Sequence, residues 1–154
     1  MSMIVGSDYV DANASFTTAV KSSGAKVFVR AFAENGISAN TPAAVAEMGS
    51  GYNATALVQS IYAYIGVPEG TQAVGAGSWG WFQIRGPVED VQASAAEASG
   101  EAGHAVAWTG GVLYGSSSAY KGRHDIGQIG VFTGGTNGST TINMYLTGVW
   151  ATAI

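Results

Sequence analysis

The sequence predicts an all-β protein: a β-barrel or β-sandwich built from two similar β units, carried behind an extended N-terminal arm. Three observations point there. Short runs rich in Val, Ile, Phe, Tyr and Trp recur along the chain and are separated by glycine-rich turns. The last such run, "TTINMYLTGVWATAI", alternates with period two, with Ile142, Met144 and Leu146 on one side and Thr141, Asn143, Tyr145 and Thr147 on the other. No segment keeps a helical apolar stripe.

Residues 1–25, "MSMIVGSDYVDANASFTTAVKSSGA", mix short apolar patches with Ser, Thr, Asp and Asn and keep no period. They read as an arm ordered against a neighbour, with Met3, Ile4, Val5 and Tyr9 as its gripping side chains. The alternative is a frayed terminus. From Lys26 to the end the chain reads as one β domain. "KVFVRAFAE" (26–34) is a strand, and Asn35-Gly36 is a turn signal. Pro42 precedes a short apolar run. "ATALVQSIYAYIGV" (54–67) is ambiguous, with "IYAYIGV" favoured as strand for its Ile, Tyr and Val content. "SWGWFQIRGPV" (78–88) is a strand that Gly86-Pro87 should end. Residues 89–99 have helical propensity but little apolar stripe. "HAVAW" and "GVLYG" form a hairpin around Thr109-Gly110, "IGQIGVF" is a strand, and "TGGTNGS" a turn before the last strand.

Two stretches share an outline. Ile65-Gly66-Val67 and Ile129-Gly130-Val131 each lead through a glycine-rich turn into a strand, which ends at Gly86 in one and at Gly148 in the other. The repeat units would be 26–88 and 89–154.

Composition narrows the function. Charged residues make up 10% of the chain, against roughly 25% in an ordinary soluble domain. Glycine accounts for 23 of 154 residues. So few charges fit a small neutral β protein, or a subunit whose surface is largely covered by partners. With no cysteine, disulfides, thiolate metal sites and cysteine catalysis are excluded. The six basic residues are scattered and the net charge is −4, which argues against nucleic-acid binding. No run of about 18 apolar residues predicts a membrane span. The N-terminus has no basic region before an apolar run, so no signal peptide is expected.

Gly75, Gly77 and Gly80 spell G-x-G-x-x-G, the spacing of a dinucleotide loop. That loop must follow a strand and open a helix. Here Trp79, Trp81, Phe82 and Ile84 follow, so the glycines read as a loop that feeds a strand. By alternation Phe82 and Ile84 share one face, and Trp79, Trp81, Gln83 and Arg85 the other. Trp79, Trp81 and Arg85 are therefore candidates for a subunit interface; the alternative buries both faces. Ser118-x-x-Lys121 lacks the companion motifs of penicillin-recognising enzymes. His104, His124 and Asp125 have no metal-ligand spacing. The sequons at Asn13, Asn53 and Asn137 carry no weight without a secretion signal. No catalytic, metal or cofactor-binding residue is expected, and no cofactor.

From Lys26 onward, "VFVRAFAENGISANTPAAVAE", "YIGVPEG", "GWFQIRGPVEDV", "GEAGHAVAW" and "IGVFTGGTNGSTTINMYLTGV" together resemble the capsid decoration, or cement, proteins of tailed bacteriophages. The resemblance implies a non-enzymatic β protein, commonly a homotrimer. It would bind the major capsid protein on the outer surface of the virion, at junctions between capsid subunits, and stiffen the head. The connection "EDVQASAAEASGEAG" has no place in that resemblance. Two other functions fit the exposed aromatics and the β content: a carbohydrate-binding or adhesin module, and a phage tail or baseplate component.

Overall fold

The computed structural model describes residues 20–48, 51–57, 63–93, 105–109, 112–115, 130–135 and 140–148. They form ten strands and no helix: β1 Val20–Ser23, β2 Lys26–Ala33, β3 Ala43–Met48, β4 Gly51–Ala56, β5 Tyr64–Pro68, β6 Ser78–Gln92, β7 Ala105–Thr109, β8 Val112–Gly115, β9 Gly130–Gly135 and β10 Thr141–Thr147. The candidate arm residues Met3, Ile4, Val5 and Tyr9 lie outside the described residues. Residues 20–25, placed with the arm by sequence, instead form β1 and the turn that pairs it with β2, in register from Val20↔Val29 to Ser23↔Lys26. A four-residue strand is too short to show its period, so its partner decides its conformation.

The strands run in the order β1-β2-β4-β3-β5-β6-β10-β9-β7-β8, and β2 also pairs with β6. That extra pairing, from Val27↔Arg85 to Ala33↔Ser78, closes β2, β4, β3, β5 and β6 into a five-stranded barrel. The barrel is narrow, and small side chains fill it. Ala31, Ala33, Ala43, Ala54, Val29 and Val45 surround Phe82, which is fully buried. These alanines therefore have a geometric cause. Gly66 belongs to the same fit: a Cβ there would sit 2.8 Å from Val45 Cγ2 and 3.0 Å from Phe82 Cβ.

A second core lies outside the barrel wall. Ala44 of β3 and Ile65 and Val67 of β5 turn outward and pack with Val91, Ile142, Met144 and Leu146. The last three are the apolar side of β10, buried as its alternation predicts. The second half of β6 pairs with β10, and β9, β7 and β8 extend that sheet. The first half of the chain thus closes a ring, whereas the described strands of the second half make an open sheet laid against it. In each of the two stretches, successive strands pair antiparallel, β5 with β6 and β9 with β10.

Gly86-Pro87 does not end β6, contrary to the sequence expectation. β6 runs through to Gln92, so Glu89 and Asp90 are in a strand. Residues 94–99 lie outside the described residues. Gly86 takes a φ of +97°, and a Cβ there would meet Ala25 O at 2.6 Å, so the strand bends at a residue that only glycine can supply. Proline is tolerated in a strand where its missing N–H removes no ladder bond. β2 begins beside this bend, and Gln83 Nε2 donates to the carbonyls of Arg85 (3.2 Å) and Pro87 (2.8 Å). Beyond the bend the ladder shifts again opposite Asn143, whose Oδ1 accepts the backbone N–H of Asp90 at 3.0 Å.

Candidate interaction surface

The outer face of the closing seam carries the chemistry. Period two turns Phe28, Arg30 and Phe32 of β2 outward, and β6 sets Gln83, Trp81 and Trp79 directly opposite them. Lys21 of β1 lies across from Phe28. Its Nζ sits 4.7 Å from the Trp81 ring centroid and 5.1 Å from that of Phe28, and 2.5 Å from Glu69 Oε2. Arg30, buried to 3% exposure, holds its guanidinium carbon 5.9 Å from the Trp79 centroid. Trp79 also tilts at 56° against Phe32, with centroids 5.6 Å apart. Cations and rings therefore alternate across β1, β2 and β6. Each cation–ring contact contributes about 0.5–1 kcal/mol when exposed and more when desolvated. The array fastens the seam that closes the barrel, and it fixes the tryptophans in place.

Trp79 and Trp81 remain half-buried and line one side of a cleft of about 750 Å³ with Glu69, Gln72 and Ser78. Gly75, Gly77 and Gly80 lie along the same cleft. Their loop opens a strand, and three of its amides are bonded within the backbone. Val74 N–H bonds to Ile37 O, Gly77 N–H to Ala33 O at 2.8 Å, and Ser78 N–H to Gly75 O. The loop leads into β6 and not into a helix, so it lacks the helix N-terminus that a dinucleotide loop aims at a phosphate.

The structure brings Trp79 and Trp81 together on one face, as alternation predicts. Arg85 departs from that set. A register shift between Val27 and Phe28 breaks the alternation after Gln83, so Arg85 lies opposite Val27, a residue packed on the barrel core. Arg85 is exposed at the bend, near Gly148. Phe28, Arg30 and Phe32 were missed in the sequence, although "FVRAF" spells their alternation. Lys21 and Glu69 are 48 positions apart and carry no local signal.

Other chemistry is sparse. Among the described residues no group of three or more His, Asp or Glu could hold a metal ion. Ser118, Lys121, His104, His124 and Asp125 lie outside the described residues. No helix among them is long and apolar enough to cross a membrane. Near Tyr64, whose ring centroid is 6.3 Å away, burial pushes the Tyr52 hydroxyl pKa above its ordinary value, and the charges of Tyr64 and Glu47 add to the rise.

No family model, curated protein or solved structure matches the chain. What fold and site define is a class: an all-β chain with a closed five-stranded barrel, a flanking sheet and a rigid aromatic face.

Proposed function

We propose that this chain is a structural protein of a tailed-bacteriophage particle. It binds the outer surface of the capsid as a homotrimer, at junctions between major capsid subunits, and stabilises the head. The observation that carries this reading is the aromatic face, where Trp79, Trp81 and Phe32 are half-exposed yet held by cations on a closed ring of strands. Tryptophan fixed on a rigid surface is the residue type that dominates protein–protein hot spots. The charge-poor composition and the sequence resemblance support the same reading. In it, Trp79, Trp81 and Arg85 contact other subunits, and Met3, Ile4, Val5 and Tyr9 grip the capsid. Three arms on one trimer raise the effective concentration of each weak contact.

The test is mass in solution combined with pelleting on expanded empty capsids. A trimer that pellets with capsids is expected, and removal of residues 1–19 should abolish pelleting while leaving β1 and the barrel folded. A monomer that ignores capsids overturns the reading. The cleft beside the tryptophans favours one alternative, a glycan-binding module, because it sets two rings beside Glu69 and Gln72. Binding on a glycan array without capsid binding would select it.

A further inference from the structure

Asn35 is the one described asparagine followed by glycine; Asn40, Asn53 and Asn143 precede Thr41, Ala54 and Met144. Asn137, which also precedes a glycine, lies outside the described residues. Glycine hinders attack by its own backbone nitrogen on the preceding side chain least, because it carries no Cβ. Asn35 is exposed, on the turn that leaves β2. Gly36 N–H reaches Ala33 O at 3.5 Å, the outer limit of a hydrogen bond, so this nitrogen is loosely held.

The inner side of the same turn is packed hard. A Cβ on Gly36 would sit 3.0 Å from Ala76 N and 3.2 Å from Val74 O. Next in the chain, Ile37 and Val74 exchange two backbone bonds, of 2.8 and 2.9 Å. Both side chains belong to the barrel core, and Val74 fills the space left by Gly80, where a Cβ would overlap Val74 Cγ2. The rest of residues 69–77 is exposed, so Val74 is the pin of this strap.

We infer that Asn35-Gly36 is a site of spontaneous deamidation, and that its isoaspartyl product unfastens the Val74 strap from the end of the barrel. Hydroxide removes the Gly36 amide proton, and the nitrogen attacks Asn35 Cγ. The N–Cγ bond forms as the Cγ–Nδ2 bond breaks. Nδ2 leaves as ammonia with a proton from water, which restores the hydroxide. Water then opens the resulting succinimide at either carbonyl. Opening at Cγ yields aspartate. Opening at the main-chain carbonyl yields isoaspartate, whose backbone runs through Cβ and Cγ and is one carbon longer. The packing around Gly36 has no room for that carbon, so the turn lifts from Val74 and Ala76 and the Ile37–Val74 pairing breaks. Val74, Gly75 and Gly77 also wall the tryptophan cleft, so the change reaches the face that carries Trp79 and Trp81. None of this depends on the capsid function proposed above.

The test incubates the full chain at mildly alkaline pH and maps it by mass spectrometry, with fragmentation that distinguishes isoaspartate from aspartate. Residue 35 should convert faster than Asn40, Asn53 and Asn143, and faster as pH rises, with isoaspartate among the products. Amide exchange is then followed by NMR in the same sample. In isoaspartyl chains Ile37 and Val74 should exchange at least about tenfold faster than in unconverted ones, while Val29 and Phe82 in the barrel wall keep their rates. The tryptophan indole signals should shift with them. Asn35→Asp supplies the charge without the extra carbon and should keep the slow exchange. Asn35→Gln should keep it too, and should not convert on the same timescale. A folded chain in which Asn35 survives, while the urea-unfolded chain converts, overturns the inference, because the turn then protects its own amide. So does isoaspartate at residue 35 with unchanged exchange at Ile37 and Val74. Equally fast exchange in Asn35→Asp also overturns it, since charge and not chain length would then open the strap.

Discussion

The barrel and the flanking sheet share one strand, β6, and solve the same problem in opposite ways. In the barrel, pairing closes on itself, so the space inside is fixed and the side chains must suit it. Alanine, valine and glycine, with Ile37 and Ile84, fill it around a single phenylalanine. In the sheet, β10 lays Ile142, Met144 and Leu146 on the outside of the ring, where larger and more flexible side chains are accepted. A closed ring should tolerate little change in volume, and an open sheet should adjust.

The largest expected effect tests this contrast directly. Phe82→Ala empties the centre of a ring whose five strands cannot move inward independently. It should lose about 4 kcal/mol in a urea titration, near the upper end for such truncations. Met144→Ala removes a comparable volume from the contact between sheet and barrel, where β10 can settle. It should lose about 2–3 kcal/mol. Equal losses would break the comparison.

The reverse change sharpens it. Gly66→Ala adds a methyl where Val45 and Phe82 leave no room, and should lose about 1–3 kcal/mol by overpacking. The backbone at Gly66 is not left-handed, so the loss comes from packing alone. A Val45→Ala background should recover part of it, because Val45 Cγ2, the nearest atom, is then gone. No recovery would place the strain elsewhere.

Where β6 leaves the ring, its irregularities are held by side chains. Asn143→Ala removes the acceptor for Asp90 N–H at the register shift and should lose about 1 kcal/mol. The loss should appear as faster amide exchange along β10 before the barrel is affected.

How much of this was legible follows from the same division. Period two showed in β10 because one of its faces is buried and the other is not. It was obscured in β5, where the outer residues also pack and nearly every position is buried. The end of β6 was misplaced because Gly-Pro stops a strand only where the ladder needs the missing N–H, and ladder partners are not local information. Trp79 and Trp81 were found by alternation within one strand. Arg85 was grouped with them because a register shift leaves no mark in one sequence. The cation–ring array was missed for a related reason: it joins β1, β2 and β6 and the Glu69 loop, and only closure of the ring sets them side by side.

The smallest effect is a pH dependence seated in the barrel. In the folded chain, burial raises the Tyr52 pKa above 10.0, its ordinary value, and the charges of Tyr64 and Glu47 add to the rise. The neutral phenol is therefore favoured more in the folded chain than in the unfolded one. The unfolded state loses this proton first, so the contribution to stability is complete below pH 10.0 and declines as pH climbs toward the folded pKa. Stability compared at pH 9 and pH 11 should fall less in Tyr52→Phe than in wild type, since phenylalanine has no proton to lose. Glu47→Gln should narrow the gap in part, by removing the last of the three causes. If wild type and Tyr52→Phe lose stability in parallel, Tyr52 ionises in the folded barrel as freely as in the unfolded chain, and the closed ring does not shield it.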